Sequence, residues 1–132
     1  MTVRGRSIPL PALTWFGLLG APVAWVGQFL VGFGASLAAC GAAGRHWGVP
    51  VDGWTLAATI VAATIAALGE AAAVAAFRAT RRARGTGGTD EPPPLGRVHF
   101  LATVGMATSP LFLFIVLLAG FGSVALPSCQ QS

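Results

Sequence analysis

Three long apolar blocks leave this chain few ways to fold. They are "LTWFGLLGAPVAWVGQFLVGFGASLAA" (13–39), "WTLAATIVAATIAALGEAAAVAAF" (54–77) and "VHFLATVGMATSPLFLFIVLLAGFGSVAL" (98–126). Each exceeds the ~20 residues with which a helix crosses ~30 Å of hydrocarbon. Only a structure that pairs its own backbone groups survives there, so each block reads as a membrane-spanning helix. Only 9% of the 132 residues are charged, against about 25% in soluble proteins. The expected architecture is all-α: an integral membrane three-helix bundle over 1–132, with spans about 14–39, 54–78 and 97–126. Pro110, inside the third block, frees the Met106 carbonyl and introduces a bend. No length remains for a separate soluble catalytic domain.

The charges set the orientation. All eight basic residues are arginine. Arg4, Arg6, Arg78, Arg81, Arg82, Arg84 and Arg97 fall on one side of a three-span arrangement, and Arg45 alone on the other. Short arginine-rich segments stay cytoplasmic, which places the N-terminus inside and the C-terminus outside. The connection at about 79–96 is then cytoplasmic, and its "GTGGTDEPPP" composition makes 84–94 irregular. Trp15, Trp47 and Trp54 fall near the boundaries, as interfacial belts require. A net charge of +4 would suggest nucleic acid in a soluble chain. Here the arginines flank apolar blocks without interleaved aromatics, so no nucleic-acid partner is expected. Arginine without lysine, together with abundant alanine and glycine, suggests a GC-rich bacterial genome and hence a multi-pass protein of the bacterial cytoplasmic (inner) membrane.

"LAAC" at 37–40 has the composition of a lipoprotein cleavage site. The apolar run before it is nearly twice the 7–15 residues of a signal core, and Pro22 and Gln28 interrupt it. Cys40 instead closes an outward helix, and Cys129 follows a second one. Both thiols meet the same outer compartment, which in bacteria is oxidising. A Cys40–Cys129 disulfide is expected, provided that the Cα atoms approach within about 4.4–6.8 Å.

Small residues mark packing faces. Gly20, Ala24, Gly27, Val31, Gly34, Ala38 and Gly41 recur at alternating spacings of four and three on the first helix. On the second, Ala58, Ala62, Ala66 and Glu70 recur at intervals of four. In lipid, helices associate through close backbone approach, which such stripes permit. They serve packing between helices one and two, or docking onto another subunit.

Three polar residues lie within the blocks: Glu70, Gln28 and His99. Glu70 is about 12 Å inside the arginine boundary, counted from Arg78 at 1.5 Å per residue. An ionised carboxylate is costly there, so it should face protein, with a polar partner or another subunit in reach. His99, Thr103 and Arg97 are expected at a comparable depth on the third helix. Gln28 can hydrogen-bond between helices. His46, the other histidine, falls in the opposite loop, which excludes bis-histidine haem ligation within one chain. No metal-spaced Cys/His set, phosphate loop or Ser/His/Asp constellation is present. No cofactor and no enzymatic activity are expected.

"GAPVAWVGQ" (20–28), a cysteine closing the first helix and a second just past the third together resemble a family. It comprises small three-span bacterial membrane proteins, often encoded beside respiratory (haem-copper) oxidase genes. The resemblance implies an accessory or assembly subunit of a respiratory complex. The residues themselves leave two readings open. One is a non-catalytic subunit packed against larger integral membrane subunits in the lipid bilayer. The other is a small homo-oligomeric transporter or proton pathway centred on Glu70.

Overall fold

The computed structural model describes residues 2–3, 6–7, 9–40, 50–86 and 95–125. Three helices make up nearly all of them: α1 (Leu10–Cys40), α2 (Val51–Thr86) and α3 (Leu95–Ala125). All three are long and apolar enough to cross a membrane, so the chain is a multi-pass membrane protein. Before α1, β1 (Thr2–Val3) and β2 (Arg6–Ser7) pair antiparallel, Thr2 opposite Ser7 and Val3 opposite Arg6. Nothing in the sequence had pointed to this small hairpin.

The helix starts follow local chemistry. The Pro9 carbonyl accepts from Ala12 N (3.0 Å) and Leu13 N (3.3 Å), and Pro11, with no N–H to satisfy, sits in the first turn of α1. The Pro50 carbonyl accepts from Trp54 N (3.2 Å), and Asp52 complements the dipole in the first turn of α2. The expected spans were shorter than the helices. α2 runs on to Thr86, so 84–86, expected to be irregular, are helical, and 87–94 lie outside the described residues. Loss of hydropathy marks where a helix leaves hydrocarbon, not where it ends. Arginine and alanine are good helix formers, and cations favour a helix C-terminus.

The bundle core is built of small side chains. Ala21, Ala24, Ala62, Ala66, Ala73, Ala76 and Ala102 are buried, and Val116 is the largest wholly buried side chain among the described residues. Large side chains such as Phe100, Phe114 and Phe121 face outward. That inversion suits lipid, where apolar side chains gain little by turning inward and close packing holds helices together. All three helices meet closely at Gly17, Ala73 and Gly105. A Cβ on Gly17 would lie 2.8 Å from Ala73 N, and one on Gly105 would lie 3.1 Å from the Gly17 carbonyl oxygen. Ser109 Oγ donates to that same carbonyl at 2.9 Å. Further along, Gly120 makes room for Thr59, whose Oγ1 would be 2.8 Å from an added Cβ.

Candidate functional site

The polar groups buried between the helices form separate layers. In one, Gln28 of α1 ties the bundle together. Its Nε2 donates to Thr59 Oγ1 on α2 (2.9 Å) and to the Val116 carbonyl on α3 (3.1 Å). Thr59 passes its own proton back to the Thr55 carbonyl (2.8 Å). The interhelical role expected of Gln28 is thus present, with a detail the sequence does not carry: Gln28 Oε1 is buried without a hydrogen-bond partner.

A second layer lies at the arginine-rich end. Thr80, 1% exposed, sits 2.9 Å from His99 Nδ1 through its Oγ1. The same hydroxyl reaches the Ala76 (3.0 Å) and Phe77 (2.9 Å) carbonyls. The one hydroxyl proton of Thr80 thus has two carbonyls and an imidazole nitrogen within hydrogen-bond distance. The Phe77 ring stacks on the imidazole at 4.9 Å between centroids.

Glu70 stands apart from both layers. It is half-buried at the edge of the α2 seam, and its Oε2 is buried with no hydrogen-bond partner. The comparable depth expected for His99, Thr103 and Arg97 is not observed. His99 is bonded to Thr80, ten residues further along α2 and hence about 15 Å away. Thr103 is exposed and turns its hydroxyl onto the His99 carbonyl (2.9 Å), and Arg97 is exposed. The antiparallel register explains this. Ala73 lies beside Gly105, which carries Glu70 to the level of Thr108 and Ser109. Their hydroxyls are already committed, to the Val104 (2.7 Å) and Gly17 (2.9 Å) carbonyls.

The small-residue stripe of α1 divides. Gly20 and Ala24 are buried, whereas Gly27 and Gly34 are exposed, and a Cβ on either would meet nothing within 4 Å. Gly27 lines an apolar groove of about 510 Å³ between α1 and α2, with Gly20, Ala24, Ala58 and Ala62. Gln28 is its single polar lining residue. Sequence reasoning missed an aromatic ladder on the other side of α1 from Gly27. Trp25, Phe29 and Phe33 follow at intervals of four, with ring centroids 6.4 and 6.1 Å apart, and Trp25 meets Phe112 of α3 at 5.7 Å. The spacing was visible in the sequence. Gly69 was missed too: a Cβ there would lie 3.5 Å from the Phe16 carbonyl.

Among the described residues, no three His, Cys, Asp or Glu side chains converge as a metal set. Cys40 is the last residue of α1 and is not a free thiol, while Cys129 lies outside the described residues, as do His46 and Trp47. Comparison with known proteins finds no matching family model, no matching curated protein and no matching solved structure.

Proposed function

We propose that this protein is a non-catalytic accessory or assembly subunit of a larger bacterial membrane complex, of the respiratory kind its resemblance implies. It would sit in the cytoplasmic membrane with its N-terminus inside and its C-terminus outside, as the arginine distribution favours. The observation that carries the reading is the open groove between α1 and α2. Gly20, Ala24, Gly27, Ala58 and Ala62 form part of its lining beside larger apolar side chains, and Gly27 faces no neighbour. A helix of a larger subunit seated there gains close backbone approach.

The test is recovery from native membrane in mild detergent. Wild type should co-purify with larger membrane subunits, and Gly27→Leu should lose them while keeping its helical content. Wild type migrating only as a free monomer, with no partner recovered, would sink the proposal.

Glu70 supports a second reading, a homo-oligomeric transporter or proton pathway. Its buried, unbonded Oε2 is one carboxylate per protomer, and a symmetric oligomer would gather several around an axis. Proteoliposomes that conduct nothing, or that conduct unchanged after Glu70→Gln, would exclude it.

The Cys40–Cys129 disulfide belongs to the same proposal. It is supported by Cys40 not being free, and by α1 and α3 running parallel, so that Cys40 and Ala125 end at the same face of the bundle. It would clamp the outer ends of two helices. Non-reduced protein in which both cysteines accept a thiol label would overturn it.

A further inference from the structure

α2 has 36 residues, about 54 Å at 1.5 Å per residue, and so outruns a hydrocarbon core of ~30 Å. Arg78, Arg81 and Arg82 lie where its apolar span ends, and all three are exposed. At 100° per residue they occupy a single arc of the helix, turned away from Thr80, which faces α3. None makes an ion pair or side-chain hydrogen bond with a described residue. The acids of the described helices are too far away: Glu70 is eight residues along α2, about 12 Å, and Asp52 is at the opposite end. Three guanidinium groups therefore crowd one helix face without a counter-charge among the described residues.

The same face continues into the membrane through Ala71, Ala67 and Ile60, all exposed. Thr64, on that line, turns its hydroxyl back to the Ile60 carbonyl at 2.8 Å and presents its methyl group outward. A cationic head and an apolar track thus share one helix surface. We propose that this face is a binding site for an anionic phospholipid. The three arginines hold the phosphodiester, and the Ala71–Ala67–Ile60 track receives an acyl chain. Guanidinium groups suit this role, because their fixed donor geometry matches phosphate oxygens. The track distinguishes a lipid from a free phosphate ion, which has nothing to place there.

Native mass spectrometry of the full chain, released from nanodiscs containing equal phosphatidylglycerol and phosphatidylcholine, tests the site. Wild type should retain phosphatidylglycerol selectively. R78Q/R81Q/R82Q should reduce that retention roughly a hundredfold, about fivefold per arginine. R78K/R81K/R82K preserves the charge and guards against a folding or insertion defect. It should keep the selectivity for phosphatidylglycerol over phosphatidylcholine but hold the lipid less tightly. Equal retention of the two lipids, or unchanged retention in the glutamine variant, would overturn the site. So would displacement by millimolar inorganic phosphate with no lipid retained. If Asp90 and Glu91 of the following segment satisfy the arginines instead, wild type retains no anionic lipid and D90N/E91Q gains it. That result also overturns the proposal, and none of these outcomes bears on the accessory-subunit reading.

Discussion

Gln28 shows how one side chain can hold three helices and still leave a polar atom unused. Its Nε2 bonds to α2 and α3 together, while its Oε1 has no partner. Interhelical hydrogen bonds in membranes average about 0.6 kcal/mol and reach about 1.7. Gln28→Leu loses two of them but also removes the unpaired acceptor, so the net loss should be small, about 1 kcal/mol. Thermal unfolding in detergent measures it, and a loss above about 3 kcal/mol would mean that the amide organises more than its two contacts. At this scale the sequence was legible for residue type and not for partner. Glu70 and His99 were identifiable as intramembrane polar groups, but their separation depends on helix register. Register comes from Gly17, Ala73 and Gly105 closing on one another, which no local pattern encodes.

Among the elements, the helical period was legible and its phase was not. The seam of α1 runs through Thr14, Gly17, Ala21, Ala24 and Gln28, at spacings of three and four. The expected stripe had the same alternation but was rotated toward Gly27 and Gly34, because small residues mark every face that permits close approach, occupied or not. On α2, strict intervals of four drift around the helix by 40° per step, so Ala58 and Glu70 cannot share one seam. Ala62, Ala66, Gly69, Ala73, Ala76 and Thr80, alternating four and three, follow it instead. Two glycines of α1, ten residues and about 80° apart around the helix, therefore respond differently to bulk. Gly17→Ala drives a methyl into the Ala73 backbone and should cost about 1–3 kcal/mol, read as a lowered melting temperature. Gly27→Ala meets open space and should leave it unchanged. Equal effects would refute the helix phase. A spin label scanned along 79–86 should show helical periodicity in mobility, since α2 continues to Thr86; a flat profile beyond Phe77 would return the helix end to where hydropathy falls.

For the molecule as a whole, three spans follow from block length alone, because the membrane allows no other economical solution. Orientation is a separate matter and rests on the arginines. A C-terminal reporter active only outside the cytoplasm should be active, and one active only inside should be silent; the reverse pattern would invert the arrangement. What the bundle does depends on which of its surfaces meets protein and which meets lipid. The most direct measurement is photo-crosslinking in native membranes, with a crosslinking amino acid placed at Gly27, in the groove, or at Phe121, exposed on α3. An adduct to a larger membrane protein at position 27, and none at position 121, is the expected result. Lipid adducts alone at both positions would show that the groove has no protein partner, and the accessory-subunit reading would fall.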